Sequence, residues 1–192
     1  MPTLSIGNIS AGGTGKTPLM LNALQWLERH GATVGVLSRG YGGDEGRILE
    51  ERHPNTKLVE NADRVRGLVQ LQEQGGSEVL LLDDGFQHLR LKRDLDIVVL
   101  DATRPFDRCL PAGLSREFPR ALRRARMVVL SRSELVSQEK VANIWDRVDH
   151  IRGNGVTPRV EGGMAVRDVR NLRSGEILAA EGLKAMGAFL AA

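Results

Sequence analysis

The stretch Leu4-Ser-Ile-Gly-Asn-Ile-Ser-Ala-Gly-Gly-Thr-Gly-Lys16-Thr17 decides the fold, because an apolar run leads straight into a glycine-rich turn and then a helical pattern. Glycines let the backbone curl until its N–H groups point at a bound phosphate. Lys16 adds a mobile positive charge, and the Thr17 hydroxyl is a suitable Mg²⁺ ligand. The pattern predicts a phosphate-binding loop, although a flexible glycine-rich turn is the alternative. The loop comprises Ser10, Ala11, Gly12, Gly13, Thr14, Gly15, Lys16 and Thr17, with Ser10 where Gly is usual.

Short runs rich in Val, Leu and Ile recur along the chain, with helix-length segments between them. Runs without polar alternation are typical of parallel strands that are buried on both faces. They cover residues 4–6, 33–37, 79–82, 97–100 and 127–130. Helical spacing of apolar residues predicts one helix between the first two runs, with Pro18 near its start, and another over residues 62–74. The sequence therefore predicts an α/β fold of the P-loop NTPase type, with a doubly wound, mainly parallel sheet.

The 192 residues are 41% hydrophobic, which suits one domain of ordinary size. The composition changes near residue 150, where a glycine-rich segment begins. We therefore expect a nucleotide-binding core at residues 1–152, and a connection and the start of a second lobe at residues 153–192. The apolar run at residues 186–192 lacks an expected partner, so we interpret the chain as shortened at its end.

Composition also limits the function classes. Cys109 is the only cysteine, so an intrachain disulfide or a cysteine metal cluster is excluded, and a reducing compartment fits. No run approaches the roughly 20 apolar residues of a spanning helix, and no signal peptide is recognisable. Aromatic residues are 4% of the chain and are not interleaved with arginine, so we expect no nucleic-acid partner. No feature indicates an obligate protein partner.

The apolar run at residues 79–82 is followed directly by two carboxylates, Asp83 and Asp84. In P-loop folds an Asp at the end of a buried strand holds the Mg²⁺ water shell, so Asp83 is the first candidate. Asp84 shares that role or positions the nucleophile. The alternative is an Asp pair that caps the turn before Gly85.

Two more loops follow apolar runs, at residues 38–45 and at residues 110–117. Ligands of open α/β sheets bind where strands end, so the two loops together predict a site. Residues 104–132 contain eight arginines against Asp107 and Glu117, which suits an anionic headgroup, a phosphate or a membrane surface. A solvated face on a short exposed helix at residues 119–125 is the alternative. His88 is expected near the site.

The motif order identifies a resemblance. SIGNISAGGTGKTP (residues 5–18) is followed by SRGYG (38–42), GDE (43–45), LLLDDGFQHLRLKRDLDIVVLDA (80–102), LPAGLSRE (110–117) and RRA (123–125). This series is similar to that of the tetraacyldisaccharide 4'-kinases, and it covers about two thirds of the chain. DDGFQH and LPAG with RE are not general P-loop features, so the resemblance is specific.

The resemblance implies an activity, ligands and site residues. The family transfers the γ-phosphate of ATP to the 4'-hydroxyl of a lipid A disaccharide 1-phosphate, as a peripheral protein on the cytoplasmic face of the bacterial inner membrane. It implies ATP phosphates at residues 10–17 and Mg²⁺ near Thr17, Asp83 and Glu117. It also implies substrate or phosphate contacts from Arg39, Gln87, His88 and Arg116, and it places the catalytic Asp of the GDE motif at Asp44. Lys16 and Asp84 are the further catalytic candidates that the loop and the strand end indicate.

Some positions depart from the family. The motif GDE follows SRGYG directly, whereas an insertion separates them in many members, and LPAGPLREP is LPAGLSREF here. Family members also begin with an apolar helix and continue into a second lobe that carries a histidine partner of Asp44. We therefore expect this chain alone to bind ATP and Mg²⁺ but to transfer phosphate slowly. The remaining alternatives are a nucleotide-dependent switch and a non-catalytic ATP-binding fragment.

Overall fold

The computed structural model describes residues 1–40, 44–153, 158–163, 168–170 and 177–179, and the chain divides into two compact units, residues 1–162 and 163–192. The first unit alternates strands and helices, and most of its loops are short. Its elements in chain order are β1 (Thr3–Gly7), α1 (Lys16–Arg29), β2 (Val34–Ser38), α2 (Asp44–Arg52), β3 (Lys57–Glu60), α3 (Arg64–Glu73), β4 (Val79–Asp83), β5 (Leu95–Asp101), a 3₁₀ helix (Pro119–Arg124), β6 (Met127–Ser131), a second 3₁₀ helix (Ser133–Leu135), α4 (Gln138–Arg152) and β7 (Arg159–Gly162).

The seven strands that the structure describes in the first unit form one parallel sheet in the order β3-β2-β4-β1-β5-β6-β7. This confirms the predicted doubly wound α/β fold. Because the strands are parallel, their carboxyl ends lie along the same edge, and β1 lies between β4 and β5. The loops that follow β1, β4, β5 and β6 therefore come together. The second unit contains the antiparallel pair β8 (Asp168–Arg170) and β9 (Ile177–Ala179).

Both faces of the sheet are covered by apolar side chains, as the uninterrupted runs predicted. Along β5, Val98 and Leu100 pack into one core cluster, whereas Ile97 and Val99 pack into another. The side chains alternate because successive residues of a strand point to opposite faces. One cluster includes α1, and the other includes α4 with the buried Trp145. The alternating pattern explains why strand segments without polar residues are stable here.

Two strands of the main sheet lie outside the predicted set, and both are edge strands. The strand β3 reads Lys-Leu-Val-Glu and β7 reads Arg-Val-Glu-Gly, so each of these short strands contains two charged residues. Edge strands are partly solvated, which removes the continuous apolar signal. The strand β7 pairs with β6 in the main sheet, so the sheet extends to Gly162, past the change in composition at residue 152.

The segment that was expected to form a short exposed helix, Pro119–Arg124, is a 3₁₀ helix with a buried side. Ala121 and Leu122 join the core, while Arg123 and Arg124 are exposed. The expected short helix is present with its arginines exposed to solvent, but its opposite side is buried because the element packs against α4. Among the residues that the structure describes, no helix has the length and apolarity that a bilayer crossing needs.

Candidate functional site

The glycine-rich loop joins the end of β1 to the first turn of α1. Gly12 and Gly15 have φ values of 102° and 85°, in the left-handed region that glycine tolerates best. Around Gly12 and Gly13, a β-carbon would meet no described atom within 4 Å, so the space above the loop is open. The N-terminus of α1 has no side-chain cap, which leaves its N–H groups available to an anion. The loop therefore has the conformation and the free donors that a phosphate requires.

Three neighbouring segments brace the loop. The Asn8 side-chain amide donates to the Thr14 hydroxyl at 2.8 Å, and the Ser131 hydroxyl donates to the Thr14 carbonyl at 2.7 Å. The Ala11 N–H donates to the Leu114 carbonyl at 2.6 Å. Neither Asn8 nor Ser131 was among the predicted site residues. The only local signal for Asn8 was its place inside the motif, and nothing near Ser131 indicated a contact with residue 14.

One carboxylate lies between two cations beside the loop. The Asp84 Oδ2 atom accepts a hydrogen bond from Arg116 Nη1 at 2.5 Å, and Asp84 Oδ1 lies 3.7 Å from Lys16 Nζ. Asp84 has a φ of 51°, which turns the chain sharply after β4 and directs the carboxylate toward the loop. The structure thus brings together Lys16, Asp84 and Arg116, three residues that the sequence placed on separate segments.

A second group of contacts surrounds Glu117. Its Oε2 accepts from Arg124 Nη2 at 2.8 Å, and its Oε1 accepts from Gln87 Nε2 at 3.0 Å. The same Gln87 nitrogen donates to the Asn8 carbonyl at 2.8 Å, so Gln87 links Glu117 to the start of the loop. The Arg124 guanidinium also lies 4.5 Å from the Phe86 ring centroid. Arg124, one of the expected solvated arginines, therefore orients Glu117.

His88 lies in the turn after β4, half-buried. Burial and the positive charge of Arg64 lower the pKa of His88 below its ordinary 6.5, although Asp84 acts in the opposite direction. The ring is therefore mainly neutral near pH 7, and one of its nitrogens can accept a hydrogen bond.

For the remaining predicted site residues, the structure gives the position in the fold and the exposure. Arg39 is exposed directly after β2, and Thr17 is half-buried in the first turn of α1. Asp44 is the first residue of α2, but its side chain lies outside the described residues. Asp83 ends β4 and is half-buried. In the described part of the chain, no three His, Cys, Asp or Glu side chains cluster as a metal site.

The residues present nevertheless fit a Mg²⁺ ion held partly by phosphates. The Asp84 Oδ1 atom is buried and has no hydrogen-bond partner among the described residues. A buried carboxylate oxygen without a hydrogen bond is costly even beside the Lys16 ion pair, and a hard cation or its water shell would satisfy it. Mg²⁺ in nucleotide sites usually takes only one or two protein carboxylates, so the absence of a larger acidic cluster is consistent with this role.

A parallel sheet with a glycine-rich loop, a lysine and an uncapped helix after β1 defines a P-loop nucleotide-binding fold. The family model for tetraacyldisaccharide-1-P 4'-kinase, LpxK, matches residues 1–47 and 42–191, and the chain belongs to this family. The resemblance drawn from the motifs is thereby confirmed.

Curated relatives and solved structures agree with this family. The tetraacyldisaccharide 4'-kinase of Syntrophotalea carbinolica is 40% identical, over 69% of this chain and 44% of the relative. The kinase of Anaeromyxobacter sp. strain Fw109-5 is 37% identical, over 98% of this chain and 60% of the relative. The chain spans about half the length of the curated relatives it matches.

A crystal structure of LpxK from Aquifex aeolicus in complex with ATP has a TM-score of 0.68 to this chain at 30% identity. It covers 96% of this chain and 60% of that one. The hydrogenase maturation factor HypB of Archaeoglobus fulgidus has a TM-score of 0.55 at 16% identity, which shows a shared fold alone.

Proposed function

We propose that the protein transfers the γ-phosphate of ATP to the 4'-hydroxyl of a tetraacyldisaccharide 1-phosphate in lipid A biosynthesis. The observation that carries this proposal is the arrangement of Lys16, Asp84 and Arg116 beside an open phosphate loop. Membership of the kinase family supports the choice of acceptor. The transfer assay below distinguishes this proposal from the alternatives that the sequence leaves open, a nucleotide-dependent switch and a non-catalytic ATP-binding fragment.

The donor side of the reaction follows from the charges near the loop. Backbone N–H groups and the N-terminus of α1 bind the phosphates of ATP, and Lys16 neutralises charge that develops on the transferred phosphoryl group. Arg116 reaches the same region, since both cations contact one carboxylate. These groups are positioned before ATP arrives, so little reorganisation is needed when charge shifts.

Thr17, Asp83, Asp84 and Glu117 are the residues that would hold Mg²⁺. When bound, Mg²⁺ supplies positive charge to the donor phosphates. The Asp84 Oδ1 atom has no hydrogen-bond partner among the described residues, which supports a place for Asp84 in this set. Gln87 and Arg124 hold the Glu117 carboxylate in place.

The acceptor side uses the loops after β2, β4 and β5. Asp44 is the candidate base for the 4'-hydroxyl, and Arg39, Gln87, His88 and Arg116 are the candidate substrate contacts. The lowered pKa of His88 supports a neutral ring that accepts a hydrogen bond from a sugar hydroxyl. An acyl-chain-bearing acceptor lies in a membrane, and the enzyme must reach it at the bilayer surface. We therefore propose that the protein binds peripherally to the cytoplasmic face of the inner membrane.

The proposal is tested by separating nucleotide binding from transfer. Calorimetry measures Mg-ATP affinity for the unaltered chain, for Lys16→Ala and for Lys92→Ala, a matched change at an exposed lysine away from the loop. We expect at least a tenfold loss in Lys16→Ala, about 1.4 kcal/mol or more, and none in Lys92→Ala. Equal affinity of all three proteins would refute the phosphate-loop assignment.

Transfer is followed with γ-³²P-labelled ATP and tetraacyldisaccharide 1-phosphate, with thin-layer separation of the products. We expect label at the 4'-position above the Lys16→Ala background, with the Anaeromyxobacter relative as the positive control. Label that never exceeds this background, although Mg-ATP binds, would refute the proposed transfer for this chain.

A further inference from the structure

The turn after β4, which carries His88, is attached to the sheet by a buried ion pair. Arg93 lies between this turn and β5, and its Nε atom donates to Asp96 Oδ2, near the start of β5, at 2.9 Å. The two side chains are only 9% and 8% exposed. Neither residue was among the predicted site residues, so the pair needs an explanation of its own.

The same guanidinium holds the backbone of His88. Arg93 Nη1 donates to the His88 carbonyl, while Nε donates to Asp96. The His88 N–H donates to the Gly85 carbonyl at 2.9 Å, so the backbone of His88 is bonded on both sides. A planar guanidinium with two of its donors engaged has a defined orientation. Arg93 therefore fixes the place of His88 relative to β5.

Asp96 is a firm anchor because it belongs to the interior of the sheet. The strand β5 lies between β1 and β6, and Asp96 is in register with Ser5 of β1. The Asp96 carbonyl also accepts from the Arg126 N–H at 2.9 Å. The turn packs on the same part of β1, since a β-carbon added at Gly85 would lie 2.8 Å from Ser5 Oγ. The ion pair thus joins the turn to a rigid part of the core.

Stability alone does not account for the pair. Removing two charges from water is unfavourable, and the attraction between them often fails to offset this cost. Asp96 Oδ1 is also buried without a hydrogen-bond partner among the described residues. Apolar side chains of similar volume often give equal or greater stability at such positions. They cannot supply the directed hydrogen bond to the His88 carbonyl.

The His88 ring is sensitive to its exact place. Burial and the charges of Arg64, Arg39 and Arg93 lower the pKa of the ring, and Asp84 acts in the opposite direction. The balance depends on a half-buried ring close to these cations. A turn that moved away from the sheet would expose the ring to water and return its pKa toward the ordinary value.

We propose that Arg93 and Asp96 are positioning residues for the acceptor side of the reaction, because they hold His88 in place before the acceptor binds. The inference rests on the proposed function, in which His88 contacts the acceptor. The pair acts through the His88 backbone and not on the reacting atoms. Preorganised contacts of this kind lower the entropy that is lost when the acceptor is bound in a reactive geometry.

The decisive variant replaces both ions, as Arg93→Met with Asp96→Leu. Arg93→Met alone leaves an unpaired buried carboxylate and should destabilise the fold, whereas the double variant should unfold in urea like the parent protein. If Leu does not fit at residue 96, Arg93→Met with Asp96→Asn removes both charges at nearly constant shape. The matched control makes the Met and Leu changes at the more exposed pair of Arg159 and Asp149.

The first readout is the His88 segment itself, which requires no activity. NMR titration follows the four histidines, and His88→Gln identifies the His88 signals. In the double variant, the His88 amide should exchange at least about tenfold faster, and the pKa of the ring should rise toward 6.5. Arg39→Gln removes another cation that acts on the ring, so it shows the effect of charge alone and should leave amide exchange unchanged. The control at Arg159 and Asp149 should change neither quantity.

The second readout is the acceptor. In the double variant, the KM for tetraacyldisaccharide 1-phosphate should rise about tenfold, while the affinity for Mg-ATP changes less than about twofold. When His88→Gln is already present, the double change should add little, because both act through the same contact.

Two results would overturn the proposal. One is a double variant that unfolds like the parent protein and keeps the parent's slow His88 exchange and acceptor KM, which would make the pair purely structural. The other is an equal loss of Mg-ATP affinity, which would show a general effect on the fold. If the unaltered chain transfers no label, the proposed function fails by itself, and His88 exchange and pKa then decide whether the pair positions this residue.

Discussion

Replacing Asp84 by Asn should strengthen the binding of metal-free ATP and abolish the additional effect of Mg²⁺. Asp84 neutralises Lys16 and Arg116 in the free protein, and it repels the phosphates that those cations would bind. The Oδ1 atom of the same carboxylate has no hydrogen-bond partner among the described residues and is available to a metal. One substitution therefore has opposite effects in the absence and in the presence of Mg²⁺.

The magnitude follows from the geometry. At 3.7 Å, the attraction between Lys16 Nζ and Asp84 Oδ1 is about 4 kcal/mol before solvation, at an effective dielectric constant near 20. Both side chains are partly exposed, so desolvation and screening remove most of this energy. A net change of about 1.4 kcal/mol remains, which corresponds to a tenfold change in affinity. Asn has nearly the shape of Asp and tolerates the left-handed φ at residue 84, so we expect the fold to persist.

Calorimetric titrations with ATP in EDTA and in Mg²⁺ measure both effects. The unaltered chain should bind ATP more tightly with Mg²⁺, whereas Asp84→Asn should bind metal-free ATP about tenfold more tightly than the unaltered chain and gain nothing from Mg²⁺. Asp149→Asn removes the same charge from a surface pair with Arg159 and should behave like the parent protein. Unchanged or weaker metal-free binding by a folded Asp84→Asn variant would refute the reasoning.

Three further changes test the fold and the site. Gly67→Ala should lower the free energy of unfolding by about 1–2 kcal/mol in urea titrations, because the added β-carbon would lie 2.4 Å from a Leu37 methyl group. A higher free energy of unfolding would show that the helix propensity of Ala outweighs this clash. Trp145→Phe should lower the free energy of unfolding by about 2–3 kcal/mol, because the buried indole N–H of Trp145 donates to the Glu161 carboxylate of β7 at 2.9 Å. The control Trp26→Phe changes an exposed residue and should lower it by less than about 0.5 kcal/mol. Because the pKa of His88 is lowered in the folded state, the unfolded state takes up the proton first as the pH falls, and the free energy of unfolding decreases below about pH 6.5. His88→Gln should reduce this decrease, which thermal melts between pH 7 and pH 5 would measure.

The central strands were readable from the sequence because each is buried on both faces. Residues of β5 and β6 are apolar at successive positions, and the helical spacing that follows β1 predicted α1. The edge strands β3 and β7 were not predicted, because their partly solvated positions carry charged residues and leave no continuous apolar run. The helix α4 was also missed, although Ser137 caps it and four apolar residues face the core.

The phosphate loop and its family were determined by the sequence alone, because glycine conformations and the lysine that follows them are local properties. The chain's motifs also predicted the neighbourhood of Asp84 and Arg116 through the rule that parallel strands end at one edge. Only the tertiary structure decided which atoms meet there. The turn at Asp84 points its carboxylate at Lys16, Arg124 holds Glu117, and Ser131 ties β6 to Thr14 across 117 positions of the chain. Such contacts depend on strand order and on side-chain direction, and neither is encoded within a short window of sequence.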